Sequence, residues 1–207
     1  MADRRNLFHN ILNNPGVFLF IRAILDGGQV RYLKGVLEEY RAGSVLDVAC
    51  GCGTFCRITP HEYLGVDYNA SFISFCDHRY GDRQEDAGEK RFAVMDASDM
   101  KLDRLFDTAV IINSIHHFSD GEVVSILTSM RDRARRLVIV HDAVPRRNPV
   151  SRFFYRLDRG THFRTIEEQK TLISRAGLEI KEVRYFKSTA GIYLHSTLIC
   201  TAKEDVS

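Results

Sequence analysis

Residues 44–53 read Ser44-Val-Leu-Asp-Val-Ala-Cys-Gly-Cys-Gly53, and this stretch decides the fold. A short apolar run (Val45, Leu46, Val48) ends in an acid and then in glycines. That is the pattern of a buried parallel strand running into a turn that a ligand approaches closely. Gly51 and Gly53 carry no Cβ, so the backbone can bend tightly and lay its N–H groups against a bound molecule. The next strand-like run, Tyr63-Leu-Gly-Val-Asp67, also ends in an acid, placed to accept hydrogen bonds from two ribose hydroxyls. Together the two runs describe a nucleoside-binding α/β half-domain.

A dinucleotide fingerprint, G-x-G-x-x-G, needs a third glycine so that the helix can pack on the strand. Counted from Gly51 that position is Cys56, and counted from Ala49 it is Thr54; neither fits. The stretch resembles instead D-x-G-x-G-x-G, the first motif of class I S-adenosylmethionine-dependent methyltransferases, with Ala49 at the first glycine. That departure is expected to be mild, since alanine adds a single methyl to the turn.

The 207 residues suit one domain. A hydrophobic content of 44% with 27% charged residues is ordinary for a soluble globular protein, and a net charge of +2 selects no polyanionic partner. Of the five cysteines, Cys50, Cys52 and Cys56 are crowded together. They read as reduced thiols of a cytoplasmic protein rather than as a disulfide framework. C-x-C-x-x-x-C is not a standard zinc spacing and no His-x-x-x-His follows, so no metal is expected.

Residues 1–14 read as a short helix or an arm. Asn14-Pro15 is an N-cap with proline at the first helical position, opening an apolar helix over residues 15–26 that Gly27-Gly28 closes. Its apolar run of about eleven residues is too short for a bilayer, which takes about twenty, and no signal-peptide cleavage site follows. The helix is expected to pack on the domain; roofing an apolar pocket and touching a membrane surface are its other uses. A helix over residues 30–40 stops at Gly43. Strands are expected at 44–49, 63–67, 91–96, 106–113 and 136–141. A short helix after the glycine turn would offer free N–H groups to a ligand carboxylate. Further helices run from Asn69 or Ser71 to Arg79, over 121–133, and from the capping box Thr165-Ile-Glu-Glu168 to Ala176. The last two β-rich runs, 178–186 and 192–202, have no helix between them and should pair antiparallel.

Five alternating β/α units closed by such a pair give a three-layer α/β sandwich. Its seven-stranded sheet is mostly parallel with an antiparallel last strand, and helices cover both faces, with N-terminal helices added. The expected organisation is an N-terminal helical extension or cap over 1–43 and a methyltransferase domain over 44–207, compact together. This is the sheet of class I methyltransferases, and the resemblance runs from about Val45 to Ala202. It implies S-adenosylmethionine as the cofactor. Asp47 and the backbone of Ala49, Cys50, Gly51 and Gly53 would then hold the methionine end. Asp67 would bind the ribose hydroxyls with Tyr68 beside it, Asp96 would pair with the adenine amino group, and Ala97 would read the ring edge. Asn113 and Ser114 would sit beside the methionine and the sulfonium.

A sulfonium already carries an activated methyl group. The protein must align a nucleophile with the S–CH3 bond, and a general base helps when that nucleophile is a hydroxyl or a protonated amine. His116 and His117 fall where the fourth strand delivers its loop over the methyl group, and histidine titrates near neutrality. His117 is the preferred base, because a common subgroup of the family carries histidine there before an apolar residue such as Phe118. Asn113-Ser-Ile-His116 is not the Asn/Asp-Pro-Pro-Tyr of enzymes that methylate amino groups of nucleic acids, and no Pro-Cys pair for C5 pyrimidine methylation is present. The resemblance therefore implies a small-molecule acceptor methylated on O or N, by a monomer or a homodimer. The alternatives are an RNA methyltransferase, drawing on Arg131, Arg133, Arg135 and Arg136, and a non-catalytic S-adenosylmethionine-binding or partner protein. Those arginines read first as a solvated helix face.

Residues 146–164 hold six arginines against one aspartate, with Phe153, Phe154, Tyr155 and Phe163 among them. Enzymes of this type commonly insert a substrate cover here. Tyr155, Arg159 and His162 are expected to face an acidic acceptor with an apolar or ring-like body.

Overall fold

A computed structural model describes residues 27–59, 61–81, 88–145, 162–188, 191 and 193–202. The expected helix over 15–26 and most of the arginine-rich stretch, with Tyr155 and Arg159, lie outside the described residues. The strands are β1 (Val45–Val48), β2 (Tyr63–Asp67), β3 (Lys90–Val94), β4 (Phe106–Ile112), β5 (Ala134–Val144), β6 (Glu179–Lys187) and β7 (Leu194–Thr201). They form one sheet in the order β3-β2-β1-β4-β5-β7-β6. Neighbours from β3 through β5 are parallel, and β7 runs antiparallel to both β5 and β6.

The helices are α1 (Gln29–Glu39), α2 (Ala70–Cys76), α3 (Asp120–Arg133) and α4 (Ile166–Arg175). Side chains alternate across the strands, and the two faces build separate cores. Leu33, Val36 and Leu37 of α1 pack with Val45, Tyr63, Val110, Ile139 and Ile199 on one face. On the other, Val123, Ile126, Leu127 and Met130 of α3 and Leu172 and Ile173 of α4 pack with Leu46, Val48, Ile111, Val140 and Leu198. β1 and β4 lie in mid-sheet with helices on both sides, which is why they read as continuous apolar runs.

The helix starts follow the expected chemistry. Asn69 Oδ1 accepts the Ser71 N–H at 3.0 Å to open α2. Capping boxes of Ser119 with Glu122 and of Thr165 with Glu168 open α3 and α4. Three expectations change. The glycine turn leads into a 3₁₀ turn, Cys56–Ile58, instead of a helix, because Pro60 and β2 follow too soon. Two of its N–H groups are already used: Cys56 N donates to Gly53 O and Ile58 N to Phe55 O. α2 stops at Cys76 and continues to Gly81 as a wider π turn. β5 extends past His141 to Val144 because β7 pairs with it as far as Val144 and Leu194, and this extension draws Asp142 into the sheet. No helix among the described residues is long and apolar enough to cross a membrane.

Candidate active site at the tips of β1, β2, β4 and β5

The parallel strands end together, and the turns leaving them converge. Ala49, Gly51 and Gly53 all have left-handed backbone, with φ of 57°, 55° and 66°. A Cβ on Gly53 would press within 3.0 Å of Cys76 Sγ and Phe92, whereas one on Gly51 would meet nothing within 4 Å. The turn is thus packed from behind and open in front, where a ligand would lie. Ala49 is more than a mild departure: its methyl sits in a conformation that L-residues avoid, at a cost of about 1–2 kcal/mol.

Asp67 locks the turn. Its Oδ2 accepts the Gly51 N–H at 2.9 Å and its Oδ1 accepts the Asn69 N–H at 2.9 Å. Burial pushes this carboxyl above its ordinary range, and the two backbone donors oppose the shift. Each oxygen keeps a further lone pair for a hydroxyl. Tyr68 beside it is 76% exposed, a ring surface free to cover a base. Asp96 at the end of the loop from β3 is exposed and takes the Ser98 N–H and hydroxyl on Oδ1, which hold it below the usual carboxylate range. Its Oδ2 takes no part in that turn, and Ala97 next to it is buried.

Asp47 lies beneath the turn. It is 1% exposed, accepts the Tyr63 hydroxyl at 2.6 Å, and is pushed up to about 7 by burial. Asn113 takes a left-handed backbone, φ 51°, and its side-chain amide pairs with Gln29 of α1. Ser114 Oγ lies 3.0 Å from Ile112 O and 3.4 Å from Ala49 O, stitching the end of β4 to the glycine turn.

The loop after β4 turns once as a 3₁₀ helix, Ile115–His117. His116 is 4% exposed. Its Nδ1 lies 2.5 Å from Asp142 Oδ1, and its backbone N–H donates to Asp142 Oδ2 at 3.0 Å. Burial opposes ionisation of Asp142, but His116 and the Ala143 N–H outweigh it and hold the carboxyl below its ordinary range. The His116 ring stacks on Phe163 at 4.8 Å and meets the His117 ring at 4.2 Å. His117 itself is exposed. His162, also exposed, donates its backbone N–H to His116 O at 3.0 Å.

Residues 45–136 match the family described as Methyltransferase domain. Over that stretch the chain resembles a methyltransferase domain. Solved structures show the same fold. Magnesium protoporphyrin IX methyltransferase from Synechocystis PCC 6803, with SAH bound, aligns over 95% of this chain and 99% of its own at 13% identity, TM-score 0.69. An S-adenosylmethionine-dependent methyltransferase from Clostridium acetobutylicum aligns over 95% of this chain and 98% of its own, also at 13% and 0.69. One from Methanosarcina mazei aligns over 76% and 91% at 18% identity, TM-score 0.60. Among curated proteins no significant match is found.

The open face of Gly51 and the remaining lone pairs of Asp67 leave room and acceptors for a ligand that carries hydroxyls. Four residues that shape the site escaped the sequence reading. Asp142 follows the apolar run of β5 as the other strand-end acids follow theirs, a signal that was present. Gln29, His141 and Arg164 carried none. Arg164, 5% exposed, donates to Asp120 Oδ1, Ile115 O and Phe118 O at 2.7–2.9 Å and so clasps the histidine loop from within.

Proposed function

We propose that this protein transfers the methyl group of S-adenosylmethionine to an oxygen or nitrogen of a small-molecule acceptor. The observation that carries the reading is the exposed His117 ring, set against the Asp142-held His116 ring beside the Ser114–Ala49 stitch. The backbone of the Ala49–Gly53 turn, Asp67, Tyr68, Asp96, Ala97 and Ser114 form the proposed cofactor site, with Asp47 and Asn113 supporting it from behind. When bound, the cofactor supplies an activated methyl group on sulfur. The chain then positions the acceptor and lets His117 take up its proton, while the buried pair below keeps the loop from moving.

Three of the four arginines invoked for RNA have partners within the protein. Arg131 donates to Ala176 O, Arg135 pairs with Asp107, and Arg136 donates to Arg41 O. This favours a small acceptor, and the composition of residues 146–164 favours an acidic one with an apolar or ring-like body. All five cysteines are free and buried, which suits a reducing compartment such as the cytoplasm.

Titration calorimetry with S-adenosylmethionine, followed by a methyl-transfer screen against soluble metabolites and tRNA, tests the proposal. Cofactor binding with transfer to a metabolite supports it. Transfer to tRNA alone, or binding of NAD in place of S-adenosylmethionine, would sink it.

A further inference from the structure

On the face of the sheet opposite the His116–Asp142 pair, a buried chain of hydrogen bonds joins α1, β4, β5 and β7. Gln29, the first residue of α1, is 1% exposed. Asn113 Nδ2 donates to Gln29 Oε1 at 2.9 Å, and Gln29 Nε2 returns a bond to Asn113 Oδ1 at 3.1 Å. Gln29 Nε2 also lies 2.8 Å from His141 Nε2. An amide nitrogen only donates, so His141 Nε2 is the acceptor and the ring proton sits on Nδ1. Nδ1 in turn lies 2.7 Å from Thr197 Oγ1, and Tyr32 OH lies 3.0 Å from the same hydroxyl. The backbone closes the circuit, since Asn113 N donates to His141 O at 2.7 Å.

This circuit holds the residue at which β4 turns into the site. With Asn113 in the left-handed region, the chain doubles back and Ser114 Oγ comes to Ala49 O. We propose that Gln29 is a positioning residue for the cofactor site: through Asn113 and Ser114 it holds the glycine turn in the arrangement that receives S-adenosylmethionine. The inference rests on the methyltransferase reading above. It gives α1 a role that its apolar face does not explain. A pair serving only to satisfy two buried amides would contribute stability and leave cofactor affinity alone.

The test is calorimetric titration of S-adenosylhomocysteine into the intact protein and its variants. Gln29→Ala and Asn113→Ala should each weaken binding about tenfold, within the usual range for coupled sites. The double variant should be no weaker than the weaker single one, because both act through one contact. Leu33→Ala, a core deletion in the same helix, should lower the melting temperature and leave the affinity unchanged. Gln29→Glu keeps the acceptor for Asn113 Nδ2, and the His141 ring can face the carboxylate by carrying its proton on Nε2 while Thr197 Oγ1 donates to Nδ1. Its affinity should therefore stay closer to wild type than that of Gln29→Ala. Additive single effects, an equal loss in Leu33→Ala, or a loss in Gln29→Glu as large as in Gln29→Ala would each overturn the inference. Wild-type protein without affinity for S-adenosylhomocysteine would overturn the methyltransferase reading itself, a result seen before any variant is made.

Discussion

His116 and Asp142 meet twice: the ring Nδ1 at 2.5 Å from one carboxylate oxygen and the backbone N–H at 3.0 Å from the other. The carboxylate is thus tied to both the side chain and the main chain of the loop that bears His117. Removing it leaves a buried imidazole and a buried N–H without their acceptor.

Asp142→Ala should accordingly cost about 3–5 kcal/mol, the usual loss when one partner of a buried pair is deleted. Asp142→Asn should cost less, since the amide oxygen can still accept the backbone N–H. Because Asp142 titrates below its ordinary range in the folded protein, its contribution is complete above the unfolded carboxylate pKa of about 4 and fades as pH falls through the lower folded value. Urea titrations at pH 7 and in acid should show the wild-type advantage over Asp142→Asn shrinking at the acid end.

Asp47 runs the other way. Its carboxyl is pushed up to about 7, so the folded state prefers it neutral. The contribution of Asp47 to stability is greatest below the ordinary value of 3.8, falls as pH rises, and levels off above about 7. The span corresponds to at most about 4 kcal/mol. Asp47→Asn can still accept the Tyr63 hydroxyl and cannot ionise. Its melting temperature should exceed that of the wild type at pH 8 and match it near pH 4; a gap that stays constant with pH would refute the assignment.

His117→Ala should lower kcat by roughly 10²–10⁴ once an acceptor is in hand, with cofactor affinity nearly unchanged. An unaltered kcat would leave alignment of the acceptor as the whole catalytic device.

Ala49→Gly should stabilise the protein by about 0.5–1 kcal/mol, the relief of a left-handed alanine less the extra chain entropy of glycine. Equilibrium denaturation measures it. A loss of stability would mean that the alanine methyl makes contacts worth more than its strain.

Much of the architecture was legible because β1 to β4 carry an acid or an amide at or near their tips and α2, α3 and α4 open on capping residues. Asp67, Asn113, Asn69 and the Thr165–Glu168 box are local signals, and local chemistry placed them. What was not legible depends on partners distant in sequence. Gln29 pairs with Asn113 across 84 residues, and His141 with Gln29 across 112. Neither residue type nor spacing marks such pairs. The length of β5 was misjudged for the same reason, since β7, which supports its final residues, arrives more than fifty residues later. The glycine turn was read correctly as a turn. The helix after it was expected to be short because Pro60 and β2 follow closely, and it is shorter still, a single 3₁₀ turn.

The placement of β7 between β5 and β6 sets an order of construction. Chains leave the ribosome from the N-terminus, so the proposed cofactor side, Ala49 to Ser114, can assemble first, while the β5 edge from Leu137 to Val144 waits for residues 194–201. During that interval β6 has been made, yet its pairing partner, β7, has not. A nascent chain halted before Leu194 would display an apolar strand edge with open backbone donors and acceptors, the feature by which unfinished chains capture one another.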